Sequence, residues 1–188
     1  MTPRLALFGG TFDPIHNAHI TVAREAAEQF ALSQVLFVPA AHPPHKPEST
    51  GAGFEHRFRM VESACTADPR FVASRLEEGQ QKSYSIHTIE RLQARDVHLF
   101  FLIGADAFSE IATWHRAAEV IARTEFIVVT RPGHTYATPP GARVHRLDTV
   151  ALPVSSSEVR DKLSRGLTPQ DVPPAVGAYI RQHSLYRG

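Results

Sequence analysis

Cysteine is almost absent: Cys65 stands alone in a chain of 188 residues. One thiol excludes an internal disulfide and any Cys-rich zinc or iron–sulfur site. It falls in a helical-looking stretch, Glu55 to Thr66, where it reads as a small buried hydrophobe. An excess of either charge is missing too. Lys and Arg total 20, Asp and Glu 19, for a formal net charge of +1. That removes the electrostatic case for nucleic acid or an anionic membrane as main partner, so any anion must be held by individually placed groups. No apolar run approaches the length of a membrane span. The opening Met1-Thr2-Pro3-Arg4 runs into a short apolar segment and then glycines, unlike a secretory signal. A reducing cytoplasm fits these features. The two common phosphate loops are also lacking: there is no Gly-x-Gly-x-x-Gly and no Walker lysine, so neither a dehydrogenase nor a P-loop enzyme is indicated.

What is present is a globular composition, 43% hydrophobic and 21% charged, at a length that suits one domain over residues 1–188. Apolar runs alternate with amphipathic stretches. Strands are expected at Leu5–Phe8, Val35–Val38, Phe71–Ser74, His98–Ile103, Phe126–Thr130 and Val144–Leu147. Helices are expected at Asn17–Phe30, Phe54–Thr66, Ile86–Leu92, Ala107–Ala112, Ala117–Arg123, Ser157–Arg165 and Val176–His183. Continuously apolar strands separated by helices imply a parallel sheet covered on both faces. Right-handed crossovers then make it a Rossmann-like, doubly wound α/β fold. The likeliest loops are Ala40 to Gly53 and Pro132 to Gly141.

In such a sheet, ligands sit beyond the carboxyl ends of the strands. The first such end reads Phe8-Gly9-Gly10-Thr11-Phe12-Asp13-Pro14-Ile15-His16-Asn17-Ala18-His19. Two glycines let backbone approach a ligand closely. The helix that follows offers unpaired N–H groups and a positive dipole end to an anion. His16 and His19, three apart in the first turn, fall on one face, where two imidazole donors can meet phosphate oxygens. Surface or capping residues would show the same spacing. Zinc is a further reading, because His16/His19 and His42/His45 are both His-x-x-His pairs among 11 histidines, but zinc needs three or four ligands in a closed geometry. Near the other end, Ser155-Ser156-Ser157-Glu158 fits a capping box that opens a helix, with Arg160 close by: a second anion-binding helix end.

These residues, taken in order, resemble the bacterial nicotinate-nucleotide adenylyltransferases, a family of the His-x-x-His nucleotidyltransferase superfamily. The resemblance is carried by Gly9-Gly10-Thr11-Phe12-Asp13-Pro14-x-His16-x-x-His19, by Pro43-Pro44-His45-Lys46 and by Ser83-Tyr84. It continues through Ile103-Gly104-Ala105-Asp106, Thr113-Trp114-His115, Arg131-Pro132-Gly133, Ser155-Ser156-Ser157-x-x-Arg160 and the tail from Pro174 to Tyr186. It implies attack of the phosphate of nicotinate mononucleotide on the α-phosphorus of ATP, release of pyrophosphate and formation of deamido-NAD. No covalent intermediate is implied, and Mg²⁺ is carried by the ATP phosphates rather than by protein side chains. His16 and His19 would act in catalysis. Gly9, Gly10, Thr11, Phe12, Gly104, Asp106, Ser156, Ser157 and Arg160 would bind ATP beside them. His45, Lys46, Ser83, Tyr84, Asp106, Trp114, His115 and Arg131 would meet the mononucleotide, with Trp114 stacked on the pyridine ring. Trp114 is the only tryptophan, for which ordinary core packing is the alternative.

Two positions depart from the family pattern, Ala40 where Asn is common and Ser85 where Thr is common. Both lie on the nicotinate side and bear on acid-versus-amide selection. A nicotinamide-mononucleotide-preferring enzyme, a phosphopantetheine adenylyltransferase and a nucleotide-binding protein without turnover are the alternatives. Monomer and homodimer are equally compatible with the sequence.

Overall fold

The computed structural model describes residues 2–42, 51–149, 154–167 and 170–187. Six parallel strands form one sheet: β1 (Arg4–Gly10), β2 (Gln34–Pro39), β3 (Phe71–Ala73), β4 (His98–Gly104), β5 (Glu125–Thr130) and β6 (Arg143–Asp148). Their spatial order is β3-β2-β1-β4-β5-β6, the doubly wound arrangement in which strand order reverses beside β1. Every expected strand is present, with ends within two residues of expectation.

Alternation along β1 assigns the faces. Ala6 and Phe8 point into one core, Leu5 and Leu7 into the other. The first core is covered by α1 (Asn17–Gln29), α2 (Phe54–Cys65), α6 (Ser156–Ser164) and α7 (Pro174–Gln182), through residues such as Ala23, Met60, Val159 and Ile180. The second is covered by α3 (Ser85–Gln93), α4 (Ala105–Ser109) and α5 (Ala117–Arg123), through Ile89, Phe108 and Val120. Cys65 is buried, and burial pushes its thiol up to about 12, so it is inert packing.

One helix boundary needs correction. The expected helix at Ala107–Ala112 begins two residues earlier and breaks after Ser109, resuming as a 3₁₀ turn at Ile111–Thr113. Phe108 and Ile111 are both buried in the second core across this break.

The register locates the crevice. β1 pairs with β4 from Arg4–His98 to Leu7–Phe101, while β1 stays paired to β2 as far as Gly10–Pro39. Beyond Leu7 and Phe101 the two central strands part, and their carboxyl ends, Gly9-Gly10 and Gly104, flank the opening. Among the described residues, no helix is long and apolar enough to cross a membrane.

Candidate active site

After Gly10 the chain turns sharply into α1. Phe12 takes a left-handed backbone, φ 49°, which costs a non-glycine residue about 1–3 kcal/mol. Packing holds it there. Its ring is buried edge-on against Phe8 at 5.6 Å and against His19 at 5.1 Å. Gly10 makes room for that ring: a Cβ would lie 3.0 Å from Phe12 Cζ. Arg57 of α2 donates to Thr11 O at 2.7 Å and fixes the turn from outside.

His16 and His19 do lie together. Their rings stack with centroids 3.7 Å apart and planes 29° apart. His19 Nδ1 accepts the backbone N–H of His16 at 3.1 Å, so this imidazole caps the helix as well as lining the site. His16 is 5% exposed and its Nδ1 has no hydrogen-bond partner among the described residues. A buried polar atom left unpaired calls for a ligand or water. Burial pushes the His16 imidazole down to about 4, against an upward pull from Asp171 and Glu158. Burial, with His16 as neighbour, also holds His19 well below its ordinary value. Both rings are therefore neutral near pH 7, with one N–H each.

The first turn of α1 is less open than expected. Asn17 N–H is taken by Asp171 O at 2.7 Å, and His19 N–H bonds back to His16 O at 3.0 Å. The tertiary partner, 154 residues further along the chain, removes donors that local pattern leaves free.

The capping box at the start of α6 forms as expected. Ser155 caps α6, its hydroxyl accepting Glu158 N–H at 3.2 Å while the Glu158 carboxylate accepts Ser155 N–H at 2.8 Å. Ser156 Oγ donates to Pro14 O at 3.0 Å, and Arg160 Nη1 donates to Asp13 O at 2.8 Å. Two of the residues expected to hold ATP phosphates thus also bind the glycine loop to α6. Ser157 stays exposed.

A cavity of about 680 Å³ opens between the start of α1, the start of α4, the end of β5 and the start of α6; the glycine loop, His16, His19, Ser156, Ser157 and Arg160 are not in its lining. Gly104, Asp106 and Arg131, all expected at the site, line it together with Ser155, Glu158 and Thr130. Its volume suits a nucleotide-sized ligand.

The residues expected on the nicotinate side lie over the second core. Tyr84 caps α3 and stacks on His115 at 4.3 Å. Trp114 is half-buried and packs edge-on against Phe101 at 5.8 Å, so it contributes to the core whatever else it does. Ser83 is buried. Its N–H donates to His42 O, and its Oγ accepts His42 N–H, both at 3.1 Å, which pins the chain just after β2. Glu77, a buried carboxyl raised by desolvation, holds Ser83 and accepts from Thr88 Oγ1 at 2.9 Å. His45 and Lys46 lie outside the described residues.

Sequence reasoning missed Asp13, Arg57, Glu77 and Tyr186 as site-building residues. Arg57 carried a signal, since it sits on the apolar stripe Phe54, Arg57, Phe58, Val61, where a charge must have partners. It has three, donating to Thr11 O, Ala40 O and Ala52 O.

A family model described as cytidylyltransferase-like matches residues 7–162. A Solibacter usitatus relative named "probable nicotinate-nucleotide adenylyltransferase" is 55% identical over 186 residues, 97% of this chain and 99% of its own. A relative of the same name from Exiguobacterium sibiricum is 40% identical over 187 residues, 97% of this chain and 98% of its own. A Plasmodium falciparum nicotinic acid mononucleotide adenylyltransferase complexed with NaAD shares the fold, with TM-score 0.81 at 18% identity, covering 98% of this chain and 97% of that one. With the glycine loop, the stacked histidine pair and the Ser-Ser-Ser helix assembled on one crevice, this chain belongs to the nicotinate-nucleotide adenylyltransferase family.

Proposed function

We propose that the protein transfers the adenylyl group of ATP to nicotinate mononucleotide by direct in-line displacement, giving deamido-NAD and pyrophosphate in NAD biosynthesis. The observation that carries this reading is the meeting of two phosphate-binding elements at the β1–β4 crevice: the His16/His19 turn and the start of α6, joined by the Ser156 and Arg160 bonds. The attacking phosphate is already an anion, so no general base is needed. The chemistry reduces to aligning two anions and stabilising the leaving pyrophosphate.

The residues divide the work as follows. ATP lies along Gly9, Gly10, Thr11 and Phe12, with its adenosine toward Gly104 and Asp106. Its phosphates meet His16, His19, Ser157 and Arg160, with Ser156 holding the turn. Each neutral imidazole donates one hydrogen bond to charge that develops as the α–β bridge breaks. His16 Nδ1, without a hydrogen-bond partner among the described residues, is placed to pair with a substrate oxygen. Nicotinate mononucleotide lies toward the second core, where Ser83 and Tyr84 shape the chain end, Trp114 offers an aromatic face and His115, Arg131, His45 and Lys46 supply polar contacts.

Mg²⁺ fits as an ion brought by the ATP phosphates. Asp13, the buried carboxylate nearest the turn, has both oxygens committed to N–H and O–H donors. Among the described residues, no group of three or more His, Cys, Asp or Glu could hold a metal. When brought on the phosphates, Mg²⁺ would supply neutralisation of charge that opposes the approach of a second anion.

The deciding experiment offers purified protein ATP and Mg²⁺ with nicotinate mononucleotide, nicotinamide mononucleotide or phosphopantetheine in parallel. Pyrophosphate release fastest with the nicotinate compound supports the proposal. Release only with phosphopantetheine, or with none of the three, rejects it.

A further inference from the structure

The C-terminal tail turns back through two non-glycine residues in left-handed backbone, Ser184 at φ 52° and Tyr186 at φ 62°. Ser184 closes α7, with Leu185 N–H donating to Ile180 O at 3.1 Å, and the second left-handed turn, at Tyr186, lies beyond that cap. What it achieves is delivery of one hydroxyl: Tyr186 Oη donates to Asp13 Oδ1 at 2.7 Å, across 173 residues of sequence. Asp13 is 3% exposed. Its other donors are Gly51 N–H to Oδ2 at 2.7 Å and Ala52 N–H to Oδ1 at 3.0 Å. A buried carboxylate with three converging donors has one available orientation.

The same aspartate carries Arg160. Its main-chain oxygen accepts Arg160 Nη1 at 2.8 Å, and its Oδ2 lies 3.8 Å from that nitrogen. Arg160 and Tyr186 also meet around Gly51, where a Cβ would sit 2.9 Å from Arg160 Cδ and 2.9 Å from Tyr186 Cδ1. Gly51 is therefore clamped between the two side chains. From the other side, Arg57 ties Thr11 O, Ala40 O and Ala52 O into the same knot.

We propose that Tyr186, through Asp13, is a positioning residue for adenylyl transfer: the C-terminal tail sets the orientation of Arg160 and of the Thr11–Pro14 turn. This rests on the reading of that turn and Arg160 as the ATP-phosphate site. Tyr186 itself touches no reacting atom. Removing its hydroxyl leaves the Asp13 carboxylate held only by Gly51 N–H and Ala52 N–H, and so loosens the turn whose carbonyl aims the guanidinium. Misalignment of a phosphate clamp falls on the chemical step more than on binding, because ATP can still dock on the remaining contacts.

The test is Tyr186→Phe, which deletes one oxygen and keeps the ring against Gly51. Two readouts are taken at a temperature below the melting transition of both proteins. In steady-state kinetics, kcat is expected to fall by about tenfold with KM for ATP changed less than about threefold, the pattern of lost alignment. In hydrogen exchange on the ligand-free proteins, amides of Thr11, Phe12, Gly51 and Ala52 should exchange about tenfold faster, with those of β4 unchanged. Gly51→Ala, which wedges Arg160 from Tyr186, should give the same kinetic pattern. Unchanged exchange at the turn, or an unchanged kcat in Tyr186→Phe despite a lower melting temperature, overturns the proposal and leaves the tyrosine a packing residue. The exchange readout needs no turnover, so an inactive wild type would reject the substrate reading and still leave the tail's role decided.

Discussion

His19 Nδ1 accepts the backbone N–H of His16 at 3.1 Å while the two imidazoles stack at 3.7 Å. One ring nitrogen of His19 thus caps the helix, and only Nε2 is left for substrate. The two roles can be separated by isosteres. Asn places an oxygen near Nδ1, and Gln places a nitrogen near Nε2.

His19→Asn is expected to keep the cap and lose the phosphate donor, lowering kcat by more than about tenfold, in the range for one lost transition-state donor. His19→Gln should retain more activity but melt at lower temperature. Pyrophosphate release and thermal melts on both variants check this. A His19→Asn enzyme with wild-type kcat would reduce His19 to a cap.

The depressed imidazoles make a pH prediction. His16 is pushed down to about 4, from an ordinary value of 6.5, by burial. Between these limits the unfolded chain binds more protons than the folded one, so stability rises with pH. The contribution is complete above about 6.5 and is lost as pH falls toward about 4. Urea melts from pH 4 to 7 should show this slope, and His16→Gln should flatten it. Bound ATP favours the imidazolium, so ATP binding below pH 6.5 should take up protons, measurable by calorimetry in buffers of different ionisation heat.

Gly10→Ala should damage the ATP loop. The added Cβ meets the buried Phe12 ring at 3.0 Å, and that ring is packed against Phe8, His19 and Phe37. Overpacking of this kind costs about 1–3 kcal/mol. A higher KM for ATP and a lower melting temperature are expected together. A variant with both unchanged would show that the ring can shift freely.

Trp114→Ala should raise KM for the mononucleotide far more than for ATP. Some stability will go too, because the indole packs on Phe101. Trp114→Phe keeps an aromatic face and should recover most of the affinity. Equal KM increases for both substrates would mean that Trp114 serves only the core.

Ser83→Ala removes the acceptor of His42 N–H and a donor to the buried Glu77. Leaving such groups unpaired costs about 1–3 kcal/mol. The expected result is a lower melting temperature with KM for the mononucleotide raised and KM for ATP little changed. An unaltered melt would show that water replaces the hydroxyl.

Much of this could be read from residues in a row. Continuous apolar runs such as His98–Ile103 announce buried parallel strands, because a strand covered on both faces has no polar side to alternate with. The Gly9–His19 turn and the Ser155–Glu158 box are local devices, set by φ freedom, helix spacing and capping, so sequence alone located both helix starts. What depends on distant partners was illegible. Asp171 closing the start of α1, Tyr186 gripping Asp13, and Arg57 reaching Thr11 O are contacts whose partners are separated by tens to more than a hundred residues. Periodicity reports which face a residue takes, not which group it meets there. The sequence by itself determined the sheet, the glycine turn with its histidine pair, and the capping box that opens α6. Only the tertiary structure decided which of their donors remain free and what holds them in place, because burial and hydrogen-bond closure are properties of the assembled chain.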